Sequence, residues 1–574
     1  DFAGQYSFYT THQTFLTRRA IYLLVSDVSG EITDLVADEC YFDSEGILKC
    51  KVHELIEVWI NSIHSCASSP EASIPPVILV GTHVDKISKK KLAAKQVESE
   101  TQTTTSGNVF TPPTASTHAA TSTSKQPRTS TFLGSVQRIF NPRKSKGTVE
   151  TTKDSSITGA HSIPDVDQPE TKTKLRFWQV KKKKILNAER KKRYRHEVCE
   201  RYFKEIRSHL KDKPTRFHLV DEDFAIDNTV VDSRLEDLKR KIVEVASQQP
   251  YWGEEIPARW LPLEKELMRL KAAGIKVIPW TLLEDMNQAE DVPIATEELD
   301  LFLRFQHDIG TILYFNIEVL KEQIVLDPQW MIDALKSLIT AEIFVLRCAP
   351  AVTEKWDMFN KSGKLTPELI DAVWTKENNP DLHDNKEHIL LLMERLNIIA
   401  KPRCYNEDGS EIKVEKYFLA PCMLKERTPK EVMFPQPDPE MKSSTSVLCY
   451  NFVGKFLPSP IFHRLLATCV SHWPIAQRKS ENQIFCGCCI FSLDVHHRLT
   501  VLFREYIIFA RVTRMGVTEK TPSSKLCTEV QDFISKTLTS IIGYLGQSLQ
   551  FELFVQCPQS DGYRVDCLIP VADL

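Results

Sequence analysis

Two short segments hold residues whose types and spacing could serve a phosphorylated nucleotide. In Asp1-Phe2-Ala3-Gly4-Gln5 a carboxylate, a glycine and a side-chain amide fall close together. A carboxylate at a strand end can hold Mg²⁺, usually through water. Gly4 lets its backbone N–H come close to a terminal phosphate. Gln5 stands where an amide could orient an attacking water. The second segment, Gly81-Thr82-His83-Val84-Asp85, follows the apolar run Val77-Ile78-Leu79-Val80. It falls at the carboxyl edge of a strand, where open α/β sheets bind ligands. A carboxylate there can accept from the N1–H and N2–H₂ groups of guanine, which adenine lacks. Each segment alone also reads as a plain turn. Flanking one strand-helix-strand unit, the two support each other.

A sheet must hold these segments. Ala20–Val25 and Val77–Val80 are continuous apolar runs, suited to strands buried on both faces of a parallel sheet. Between them Val52, Leu55, Ile56, Trp59, Ile60 and Ile63 recur at helical spacing. Residues 88–186 break the pattern: 17 of the 33 residues from Ser99 to Thr131 are Ser or Thr, too polar to bury a core. This stretch is expected to be a disordered insertion with a basic end. Between Lys172 and Arg195 there are 12 Lys/Arg and one acidic residue, Glu189. Residues 187–249 then supply a helix over 187–210, a strand at Phe217–Val220 and a helix over 230–248. Residues 250–419 are mostly helical. Asp327-Pro328 fits a helix start, and Phe315-Asn316 with Gln323–Leu326 fits a small hairpin. Residues 420–574 read as α+β, with five strand candidates and two amphipathic helices.

At this point a family resemblance is specific. Asp1–Val25, with Phe8-Tyr9 and His12 after the first segment, resembles the switch II region of a Roc (Ras of complex proteins) domain. Thr82-His83-x-Asp85 resembles the Roc form of the guanine motif. Tyr251-Trp252-Gly253 through Arg259-Trp260, and Ile312–Phe315 followed by Val325–Trp330, resemble a COR (C-terminal of Roc) domain. The resemblance covers about 1–87 and 187–574 and identifies the Roco proteins, multidomain GTPases. It implies a partial Ras-like doubly wound sheet, then a winged-helix-like helical module and an α+β domain. It implies GTP/GDP and Mg²⁺ as ligands. Asp1 and Gly4 would serve the metal and γ-phosphate, Gln5 the water, and Thr82, His83 and Asp85 the base. The last base loop would fall near Val220-Asp221. A homodimer through COR is also implied.

The sequence departs from that pattern. It holds no G-x-x-x-x-G-K-[ST] segment and begins at Asp1 without an initiator methionine. An internal piece of a larger protein, cut through its nucleotide site, is the expectation. A non-catalytic scaffold, and a protein kinase with its kinase domain elsewhere, are the competing readings. Kinase signatures do not occur in these residues.

Composition narrows the rest. A net charge of −3 argues against a nucleic-acid-coating protein. Fifteen cysteines without a repeating framework suit reduced thiols and a cytoplasmic setting. No apolar run is long enough to span a bilayer. The basic run 172–195 suits acidic lipid or a nuclear import receptor, or a solvated linker. Cys486-Gly487-Cys488-Cys489 near His496-His497 lacks zinc-ligand spacing, and Asp494 suits a hairpin turn.

Overall fold

The computed structural model describes residues 9–12, 15–36, 41–43, 46–48, 50–67, 74–87, 169–231, 233–315, 320–340, 350–377, 379–405, 412–433, 447–479, 481–515, 521–544, 549–557 and 562–573. Asp1, Gly4, Gln5 and most of the Ser/Thr-rich insertion lie outside them. Residues 1–87 with 197–574 make one compact unit, and 88–196 another.

The Gly81–Asp85 segment ends the central strand of a three-stranded parallel sheet. Its strands are β1 (Tyr22–Asp27), β2 (Val77–Thr82) and β3 (Phe224–Ala225), with β2 in the centre. Side chains alternate across β2. Ile78 and Val80 join Phe224, Ile226 and Leu238 beneath helix α3 (Ser233–Ser247). Val77 meets Ile63 of helix α1 (Val52–Ala67) on the other face. Helix α2 (Pro169–Leu210) adds the buried Tyr202, Phe203 and Ile206. β2 is buried on both faces, as its apolar run predicts. β1 is not: it lies at the sheet edge, and Leu23 and Val25 are 42% and 58% exposed.

Two expectations for this region need correction. Residues 169–186, read as the end of a disordered insertion, begin helix α2. Long Lys and Arg side chains are good helix formers, so a helix there needs no buried face. Phe217–Val220 is not a strand. Pro214–His218 is a 3₁₀ turn, Leu219 makes a single bridge to Val77, and the strand proper comes at Phe224.

Next come helices α4 (Leu261–Ala272), α5 (Trp280–Gln288) and α6 (Thr296–Asp308), packed around Trp260, Leu299 and Phe302. Strand β4 (Val277–Pro279) pairs antiparallel with β5 (Gln323–Val325), and Val325 also bridges Leu313. The expected partner of β5, Phe315-Asn316, is therefore displaced to Val277–Pro279 and Leu313. Asn316 lies outside the described residues. Helix α7 (Pro328–Leu338) starts at Asp327-Pro328 as expected. Asp327 is the N-cap residue, and its carboxylate also takes Lys276 Nζ at 3.1 Å and Lys271 Nζ at 3.7 Å. Helices α8 (Pro350–Ser362), α9 (Pro367–Val373) and α10 (Lys386–Arg395) bury Trp356, Trp374 and Met393 against α7.

The remainder folds around a seven-stranded antiparallel sheet. In chain order its strands are β6 (Leu448–Phe452), β7 (Ile484–Phe485), β8 (Cys488–Ser492), β9 (His497–Arg504), β10 (Ile507–Arg514), β11 (Phe551–Gln556) and β12 (Leu568–Pro570). Their spatial order is β7-β8-β9-β10-β6-β11-β12. Helices α11 (Ser459–His472) and α12 (Ser524–Tyr544) cover one face through Phe462, Leu465 and Leu538. Cys488 and Cys489 sit on β8 and point to opposite faces, into two separate apolar clusters. Burial pushes both thiols well up. Asp494 accepts from the backbone N–H groups of His496 and His497, each at 2.7 Å, which makes the expected turn.

Candidate functional site

The chain reverses sharply after β2. Gly81 lies so deep that a Cβ would come 2.3 Å from Val28 Cγ1 and 3.0 Å from Phe203 Cζ. Only glycine lets β2 end there without displacing α2 or the loop after β1. Thr82 Oγ1 donates to the Ser26 carbonyl at 3.2 Å, tying β2 to β1. His83 adopts the left-handed conformation, φ 60°, ψ 29°. That conformation is uncommon for a residue with a side chain and turns the backbone away from the strand direction. The 3₁₀ turn Val84–Lys86 follows, with Lys86 N–H donating to His83 O at 2.9 Å.

Thr82, His83 and Asp85 are therefore brought together, each half-buried, at the carboxyl edge of the central strand. Asp27, the register partner of Thr82, shares that edge. It is fixed by accepting from Ser29 N–H at 2.8 Å. Sequence reading missed it because Asp27 ends an ordinary strand without a motif.

Val220 and Asp221 are placed elsewhere. Val220 N–H donates to Val77 O at 2.9 Å, near the start of β2. That is four residues, roughly 13 Å, short of Gly81. Residues 221–223 bulge between this point and β3. Arg207 of α2 holds the bulge: it forks onto Asp223 at 2.6 and 3.1 Å and donates to Val220 O at 2.5 Å. The segment that reaches the edge is instead Ile226–Thr229. Ile226 N–H donates to Gly81 O at 2.8 Å, and Asp227 Oδ1 accepts from Thr229 N–H at 3.0 Å and from its hydroxyl at 2.5 Å. A polar Asp-Asn-Thr run between a strand and a helix was the available signal.

Asp1, Gly4 and Gln5 lie outside the described residues. The turn that follows them is described. Tyr9 packs edge-to-face and His12 tilted against Trp59 of α1, with ring centroids at 4.9 and 5.7 Å. Together with Leu16 they line a small cavity closed by Phe456 and Pro460, at the start of α11. Burial pushes the His12 imidazole down to about 3. Among the described residues no group of three His, Cys, Asp or Glu could hold a metal ion, and no helix is long and apolar enough to cross a membrane.

Comparison with known proteins bears on the rest of the chain. Residues 257–424 match the family described as C-terminal of Roc, COR-A domain. The chain is 26% identical over 248 residues to cyclic GMP-binding protein C of Dictyostelium discoideum, covering 40% of this chain and 8% of that protein. It is 24% identical over 216 residues to the Roc-COR-CHAT protease of Runella zeae, covering 36% and 18%. The chain thus spans less than a fifth of the length of these curated relatives. A solved structure, Methanosarcina barkeri Roco2 RocCORdC bound to GDP, aligns over 74% of this chain and 79% of its own at 16% identity and a TM-score of 0.33. The chain thus carries a COR-A domain in its middle and is similar to proteins of the Roco family.

Proposed function

We propose that the β2 edge is the base-recognition part of a guanine-nucleotide site of a Ras-like Roc domain. Asp85 accepts from N1–H and N2–H₂ of the base. Thr82 and His83 shape the turn beneath it, and Asp227–Thr229 form the neighbouring loop. A single observation carries this reading: Asp85 and Thr82 stand at the carboxyl edge of the central parallel strand, on a turn set by Gly81 and left-handed His83. The family resemblance adds Asp1 for Mg²⁺, Gly4 for the γ-phosphate and Gln5 for water. The 574 residues hold no G-x-x-x-x-G-K-[ST] segment, so a triphosphate would need that loop from sequence outside them. In the whole protein the site would hydrolyse GTP by positioning water and phosphate.

The same reading makes the site a switch. Tyr9, His12 and Leu16 directly follow the phosphate-side segment and pack on both α1 and the start of α11. A change at the phosphates would reach the C-terminal sheet domain, and any homodimer it forms, through these side chains. Base selectivity tests the proposal. Full-length natural protein should bind GDP and GTP and ignore ATP; equal binding of adenine nucleotide would remove the guanine assignment.

A further inference from the structure

We infer that the first half of α2 is a docking surface for an anionic lipid membrane. Residues 177–195 are helical, and all but Tyr194 and Arg195 are exposed. They carry nine Lys/Arg against one acidic residue, Glu189. A helix so charged ordinarily presents polar side chains throughout. Here Phe177 and Trp178 are each 63% exposed, and Val180, Ile185 and Leu186 are 54%, 50% and 47% exposed.

Their positions on the helix are not random. Trp178 and Ile185, seven residues apart, fall on one line along the axis. Phe177 lies to one side of that line and Leu186 to the other. Lys181 and Lys182 flank it, and the Lys181 ammonium sits 5.3 Å from the Trp178 ring centre. Long lysine stems beside an aromatic line can hold their charges at headgroup level while the apolar groups sink. Val180 and the half-buried Tyr194 fall on the opposite half.

Charge complementarity selects the occupant. Phosphate-bearing lipid headgroups match the cations, and the acyl boundary takes Trp178, Ile185 and Phe177. Nucleic acid would satisfy the cations but leave the apolar line in water. The apolar content per turn is too low for a membrane-spanning helix. The helix would therefore lie along the surface.

Vesicle co-sedimentation of the full chain tests this. Vesicles of phosphatidylcholine with 30% phosphatidylserine should retain the protein, and pure phosphatidylcholine should not. Replacing Lys181–Lys184 by Gln should weaken retention roughly 100-fold or more. Phe177→Ser with Trp178→Ser should also release the protein, at unchanged charge and unchanged α-helical circular dichroism. Absence of retention on the serine-lipid vesicles would overturn the inference. So would retention indifferent to Phe177→Ser and Trp178→Ser, since that marks a polycation without a membrane face. Tighter capture by duplex DNA or by an acidic protein than by vesicles, with those same serines harmless, would assign the surface to that partner instead.

Discussion

His64 Nδ1 lies 2.9 Å from His218 Nε2, and His218 Nδ1 lies 2.7 Å from the Pro75 carbonyl. The carbonyl can only accept, so His218 carries its proton on Nδ1. Its Nε2 is then an acceptor, and His64 donates to it. This contact ties α1 to the 3₁₀ turn beside β2 and works only while His218 is neutral.

The pair makes stability sensitive to acid. Burial lowers both imidazole pKa values. Their folded values lie below the unfolded value of about 6.5, so the contribution is intact above that pH and lost as pH falls toward the folded values. His12 and His463, both pushed by burial down to about 3, act in the same direction. Each should cost roughly 1.4 kcal/mol at pH 5.5. Denaturant unfolding at pH 7.5 and 5.5 should show the loss. His64→Gln with His218→Gln should lose less between the two pH values than the natural protein. Equal losses would exclude the pair as a source.

Gly81→Ala should destabilise the three-stranded sheet by roughly 1–3 kcal/mol, because the new Cβ collides with Val28. Val28→Ala opens that space. In a double-mutant cycle the pair of substitutions should cost less than their sum, and strict additivity would contradict the packing account.

Arg464 on α11 is fully buried and donates to the carbonyl of Leu396, at the end of α10. It links the helical module to the sheet domain. Arg464→Ala leaves a cavity and an unsatisfied carbonyl, and should lower stability by roughly 2–4 kcal/mol. Thermal unfolding measures this. A change below about 0.5 kcal/mol would show that the link is dispensable.

Much of this fold is legible in the sequence where burial imposes a period. β2, β6, β9 and β10 are apolar runs because both faces of each strand are covered, and α12 shows helical spacing because one face packs on the sheet. β8 is harder to see: its Cys-Cys pair is not a typical strand signal, yet both thiols are core. The helix over 177–193 in α2 is hidden because those residues are exposed and bury no core face. The site is half legible. Thr82, His83 and Asp85 stand at the strand end where the motif puts them, whereas Val220 pairs beside Val77 near the start of β2, because the bulge before β3 depends on Arg207, a contact invisible in local sequence.

The central claim, that Asp85 reads guanine, is tested most directly by Asp85→Asn in the full-length natural protein. The amide cannot accept both guanine hydrogens, and losing charge-assisted bonds costs roughly 1.5–3 kcal/mol. Titration with fluorescent GTP and XTP analogues should show GTP affinity falling about 10- to 150-fold while XTP gains relative to it. An unchanged preference for GTP over XTP in the variant would contradict the account.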